Sequence, residues 1–170
     1  RFARLTVSAS RLQHVSGPWS LYGRFGAQAA SGNLDSTQKY YLGGVASMPG
    51  LPLGEIGADQ AVELHGEVRR DFSPPWGGAL QVAVFAQQGW VQQHKATWDR
   101  WESARADPGN FVDVANVGLS AVQTVSGQWV LRAVVGRQVG GNPMRNSVTG
   151  QDSDGKSSRH RAWFQLIHYF

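Results

Sequence analysis

The sequence predicts an all-β fold, an antiparallel portion of a transmembrane β-barrel with about seven strands, and three observations predict it. Segment after segment alternates apolar and polar residues with period two. No run approaches the roughly 18 apolar residues that a membrane-crossing helix requires, whereas a barrel strand needs only about 9 to 11 alternating ones. The connections between the alternating segments are by turns short and long, a sorting by end that a soluble sandwich has no reason to show.

Composition agrees. Hydrophobic residues make up 41% of the 170-residue chain but are spread thinly, and charged residues, at 16%, fall below the usual quarter or so. The 21 glycines and 7 tryptophans are many for this length. Candidate strands fall at about 1–13, 18–30, 58–72, 78–91, 112–125, 127–138 and 159–170. In the first, Leu5, Val7 and Ala9 alternate with Arg4, Thr6, Ser8 and Ser10. The second sets Trp19, Leu21, Phe25 and Ala27 against Ser20, Tyr22, Arg24 and Gln28. In the third, Val62, Leu64 and Val68 oppose Glu63, His65, Glu67, Arg69 and Asp71, so one face carries charge after charge and needs water. The fourth sets Leu80, Val82 and Val84 against Gln81 and Gln87. In a barrel the polar faces line a wet lumen and the apolar faces meet lipid; in a soluble sandwich the polar faces are the outside.

The connections 14–17, 73–77 and the turn around Ser126 and Gly127 are short, while 31–57, 92–111 and 139–158 are long, as periplasmic turns and extracellular loops are in outer-membrane barrels. Trp19, Trp90, Trp129, Trp163 and Tyr169 lie near expected strand ends, where interfacial aromatic girdles sit. The last strand, Trp163 to Phe170, stops on an aromatic. That ending resembles the terminal assembly signal of bacterial outer-membrane barrels, with Phe170 as the signal residue and the barrel assembly machinery as the implied partner.

Several chemistries are absent from the sequence. There is no cysteine, which removes disulfides, thiolate metal sites and cysteine nucleophiles. The net charge of +4 comes from basic residues that form no stripe interleaved with aromatics, so no nucleic-acid partner is expected. The histidines at 14, 65, 94, 160 and 168 show no HExxH or other zinc spacing. No nucleophile elbow, Walker loop or dinucleotide fingerprint occurs, and Ser120 and His168 cannot be paired into a hydrolase site from sequence. Asp152-Ser153-Asp154-Gly155 has part of a calcium-loop pattern without the bidentate glutamate, and reads as a solvated loop tip. The expectation is a protein that is not an enzyme and uses no cofactor and no metal.

The run Leu34 to Gly44, with its Tyr41-Leu42-Gly43-Gly44 step, resembles the segment that precedes the signature loop of the two-partner secretion transporters, the haemolysin secretion and activation family also called TpsB. In that family the step is followed by V-R-G-Y, an acidic glycine-rich stretch and a strand with E-L-R. Met48-Pro49-Gly50-Leu51 stands in the first place and Glu55-Ile56-Gly57-Ala58-Asp59 in the second. Glu63-Leu64 or Glu67-Val68-Arg69 stands in the third. Phe85, Gln87 and Gly89 match the family's F-x-D-x-G on the facing wall.

The resemblance spans nearly the whole chain. It implies that 1–170 is the C-terminal portion of a 16-stranded outer-membrane barrel, with a signature loop at about 43–57 folded into the lumen and periplasmic domains upstream. Seven strands do not close such a barrel, so the remaining strands would precede Arg1. The implied function is translocation of a secreted β-rich partner without nucleotide or cofactor, past lumen-lining groups such as Arg24, Glu63, Glu67, Gln81 and Arg132, with outer-membrane lipid outside. A passive porin or adhesive surface barrel and a soluble β-sandwich binding module are the alternatives. Two departures stand out: the family's loop arginine is here Pro49 and its wall aspartate is Gln87, so both partners of an ion pair are lost together. Losing one alone would strand a charge at about 3–5 kcal/mol if buried. With both gone, neutral contacts of Met48 and Leu51 are expected to hold the loop.

Overall fold

The computed structural model describes residues 2–101, 109–125 and 128–170. The alternating segments form one seven-stranded antiparallel sheet of β1 (Arg4–Ser16), β2 (Trp19–Ala30), β5 (Gln60–Phe72), β6 (Ala79–Gln92), β7 (Phe111–Val125), β8 (Trp129–Val139) and β9 (His160–His168), in that spatial order. Every strand pairs with its predecessor in this series, and β1 and β9 are the two open edges. All seven expected strands are present, with ends moved by a few residues: β1 runs on to Ser16 and β9 ends at His168. The expected turn around Ser126 and Gly127 lies outside the described residues.

One element was not anticipated. Within the first long connection, β3 (Tyr40–Leu42) and β4 (Ile56–Ala58) pair as a separate two-stranded ladder, Leu42 opposite Ile56. A 3-10 turn over Ser36–Gln38 precedes it, capped by the Asp35 carboxylate, which accepts from the Thr37 backbone N–H at 3.0 Å. Three-residue strands are too short for period-two scoring to detect.

The two faces of the large sheet differ as the alternation requires. On one, called here the open face, Leu21, Phe25, Val62, Leu64, Val68, Val84 and Leu119 project with nothing over them; Leu64 is 44% and Leu119 55% exposed. Glu63, Gln87 and Asn116 lie on the other face, which the 31–59 connection covers. This covered face changes character along its length. Toward the long connections Ala61, Val91, Val112 and Val114 form a core with Leu42, Met48, Leu51, Ile56 and Ala58 of the connection. Toward the short turns it is polar, carrying Tyr22, Glu67, Arg69 and Arg132.

Two departures from the expected alternation follow from the pairing. Arg11 opposes Gly23 and Gln13 opposes Leu21, which puts both polar side chains on the open face and Leu12 on the covered side. Of the expected girdle, Trp19, Trp90 and Trp129 stand exposed on the open face, but Trp163 does not. It opposes Val134, a buried covered-face residue, and its indole Nε1 donates to the Pro49 carbonyl at 2.8 Å. Parity decides this: Trp163 lies two residues from Arg161, which points the same way.

Candidate functional site: a loop folded onto the polar face

The segment between β3 and β4 leaves its two-stranded stem through Gly43 (φ 121°) and Gly44 (φ 84°), conformations that residues with a Cβ rarely adopt. A Cβ on Gly43 would also collide with the Pro52 carbonyl. Inside the loop Leu51 N–H donates to Met48 O at 2.9 Å and Gly44 N–H to Leu51 O at 3.2 Å, so the tip is tightly wound. Met48 and Leu51 are fully buried against Val91 and Val114. Truncating either to alanine would cost about 2–5 kcal/mol.

The sheet provides seats for the backbone. A Cβ on Gly89 would lie 2.7 Å from Leu42 Cδ1 and 2.8 Å from Met48 Cε. One on Gly136 would lie 2.5 Å from the Gly50 nitrogen, and one on Gly50 would lie 2.9 Å from the Gln138 nitrogen. The loop tip therefore lies directly on β8. Of the residues expected in the facing-wall motif, Gly89 seats the loop and Gln87 donates its amide to the Ser47 carbonyl while accepting from Asn116. Phe85 is buried beside them, stacked on His65 at 5.9 Å between centroids.

Polar anchors complete the arrangement. Glu63, 3% exposed, accepts from Arg24 Nη2 (2.8 Å), Tyr40 Oη (2.7 Å) and Ser47 Oγ (3.1 Å). Arg24 reaches on to the Ala46 carbonyl at 3.3 Å. A buried carboxylate with one cation and two hydroxyl donors is satisfied, and removal of Arg24 would leave it uncompensated at about 3–5 kcal/mol. At the tip the Gly50 carbonyl accepts from Gln138 Nε2 (2.9 Å) and Arg161 Nη1 (2.7 Å). Lys39 and Asp59 pair at 3.0 Å, and Asp59 also accepts from Lys95 N–H at 2.8 Å, tying this connection to the next one.

Neutral contacts of Met48 and Leu51 are expected to hold the loop; both side chains are buried, and charged groups on the sheet also grip the loop backbone. The reading of Asp152 as solvated is corrected. It is buried and pairs with Arg145 Nε at 2.8 Å and Arg161 Nη2 at 2.7 Å. Burial opposes its ionisation, yet the hydrogen bonds from Arg145, Arg161, Asn142 and Gln138 hold its carboxyl below the ordinary carboxylate range. Asp154 is lowered as well, chiefly by its hydrogen bond from Arg161.

The remaining expected lumen residues share the covered face but bond elsewhere. Glu67 is gripped by His65 and Arg69, Gln81 donates to Asp71 at 2.8 Å, and Arg132 flanks a cavity of about 240 Å³ bounded by Val45 and Trp163. Phe170 is fully exposed beyond the end of β9, its ring 4.6 Å from that of His168. Ser120 pairs with Val134, whereas His168 pairs with Trp129 five residues away on β8, so the two lie on opposite faces and form no hydrolase pair. Among the described residues no cluster of His, Asp or Glu is placed to hold a metal ion. Sequence reasoning did not single out Arg161, Gln138 or Asn116. Gly136 and the parity of β8 and β9 are the signals for Gln138 and Arg161, and the pairing of β7 with both β6 and β8 is the signal for Asn116.

No protein-family model matches the sequence, and no curated protein does. Among solved structures, CdiB from Acinetobacter baumannii is similar over 99% of this chain, with a TM-score of 0.55 and 18% identity. The chain spans 27% of the length of that structure. At this identity the likeness is one of fold alone.

Proposed function

We propose that this chain is the C-terminal wall of an outer-membrane barrel that translocates a secreted, β-rich partner protein, with loop 43–55 as the segment that occupies its passage. One observation carries the reading: a single sheet has an uncovered apolar face and, on its reverse, a polar face onto which a connecting loop folds back. In water an uncovered face of this size would be a liability, whereas in lipid it is the required outer surface. The fold likeness to CdiB from Acinetobacter baumannii supports the same reading. Arg24, Glu63, Glu67, Gln81 and Arg132 then line the passage, and no nucleotide enters the mechanism. The partner crosses when the loop leaves its seat on Gly89 and Gly136.

The test is expression of a candidate β-rich secreted protein in a bacterium with and without the full-length protein. The expected result is detergent-dependent extraction of the full-length protein from the outer membrane and export of the candidate only when the barrel is present. Extraction in plain buffer would overturn the barrel reading, and unassisted export or conductance without export would overturn translocation in favour of a passive pore. Phe170 is proposed to act in assembly through the barrel assembly machinery. Its deletion should lower the amount of folded barrel in the membrane while leaving the stability of barrel already folded unchanged, as read by heat-modifiable gel migration.

A further inference from the structure

Arg161, on β9, is almost completely buried and uses its guanidinium in several directions at once. Nη1 donates to the Gly50 carbonyl at 2.7 Å, Nη2 to Asp152 at 2.7 Å and Asp154 at 3.0 Å, and Nε to Asp154 at 3.2 Å. Its hold on the loop is through a backbone carbonyl, so it does not depend on which side chain the loop tip carries. Its two counter-charges both come from the 140–159 connection. Gln138 repeats the bridge, its amide reaching Gly50 O at 2.9 Å and Asp152 Oδ2 at 3.3 Å. A second, direct link joins the same two segments: Glu55, on the returning arm of the loop, accepts from Asn142 and from Ser153.

Resting on the reading of loop 43–55 as the occupant of the passage, we infer that the 140–159 connection is its latch: Asp152 positions Arg161 to hold Gly50, and displacing the connection releases the loop. A planar guanidinium makes these bonds together only while the carboxylates of the connection fix its plane. If Asp152 moves away, Arg161 is left buried with fewer partners and turns toward the remaining acceptors, and the Gly50 carbonyl loses its charged donor. Coupling of this kind is reciprocal, so a loop that has left its seat must also loosen the connection. The passage is thereby controlled from the side of the long connections.

The experiment uses the full-length protein in lipid vesicles, with any upstream cysteines replaced and single cysteines introduced for spin labels at exposed Leu53 in the loop or Val148 in the connection. Asp152→Asn leaves every strand residue in place and should raise the mobile fraction of the Leu53 label about tenfold, the change that loss of one charge-assisted hydrogen bond produces. Arg161→Gln should do at least as much, and the double variant no more than Arg161→Gln alone. In the reverse direction Met48→Ala, which loosens the loop from the core, should mobilise the Val148 label. A Leu53 label that stays immobile in folded Asp152→Asn protein overturns the latch whatever the barrel transports. A Leu53 label that is freed while partner export and conductance stay unchanged supports the latch and overturns the translocation reading, so the two fail separately.

Discussion

At the scale of single residues the loop is placed by what the sheet lacks as much as by what it offers. Gly136 and Gly66 both sit inside strands, but a Cβ on Gly136 meets the Gly50 nitrogen, whereas one on Gly66 meets nothing within 4 Å. Because the clash is with backbone, Gly136→Ala should cost about 1–3 kcal/mol and expose the loop to protease, while Gly66→Ala should change neither. Urea titration of folded protein in detergent, paired with limited proteolysis, measures both. Asp152 makes a second prediction at this scale. Its carboxyl is held below the usual value of 3.8 by Arg145, Arg161, Asn142 and Gln138, and Asp154 beside it is lowered too. A depressed carboxylate contributes fully above the unfolded value and is lost as pH falls through the folded one. The Leu53 label should therefore be immobile from pH 7 down to about pH 4 and become mobile only below that, where Asp152 takes up its proton. Release centred near pH 6 would point to a histidine instead.

Elements are where the sequence was most legible and where its limits are clearest. Strand β5 could be read outright, because each of Val62, Leu64 and Val68 is followed by a polar residue, and a one-residue slip would put its charges on the open face. That makes a directional prediction. Leu64→Arg should destabilise the barrel folded into vesicles by about 2–4 kcal/mol if the site is near the bilayer centre, and Gln81→Arg, on the covered face of β6 beside Asp71, should not. Equal losses would mean that the open face does not meet lipid. The β3–β4 ladder was not legible, since three alternating residues occur by chance in any chain. Trp163 was misread because its nearness to a strand end outweighed its parity with Arg161. Asp152 was misread because its partner Arg161 acquires meaning only once β8 and β9 are paired and Gly136 admits the loop tip beside them.

At the scale of the whole molecule the question is how a loop stays in place without the arginine and aspartate that the resembled family would put at positions 49 and 87. The two positions do meet the same space: Pro49 and Gln87 border one cavity of about 180 Å³, together with Tyr22, Arg24, His65 and Ser120. Gln87 already touches the loop through Ser47, and Pro49 sits on β8 with its carbonyl taken by Trp163. The grip is distributed instead over β2, β5, β6, β8 and β9, through Arg24, Glu63, Gln87, Gln138 and Arg161, with Met48 and Leu51 buried beneath. A distributed grip predicts how a restored pair would behave. Pro49→Arg alone adds a cation to a cavity that already holds Arg24 and should weaken the loop's hold. Gln87→Asp alone removes the donor to Ser47 O and adds a negative charge close to Glu63 and Glu67. Together the two new charges face each other across the cavity, so their combined effect should be more favourable than the sum of the separate ones by about 0.5–3 kcal/mol. Spin-label mobility at Leu53 in the four proteins of the cycle measures that coupling. Strict additivity would mean that positions 49 and 87 do not meet, and that the distributed contacts alone place the loop.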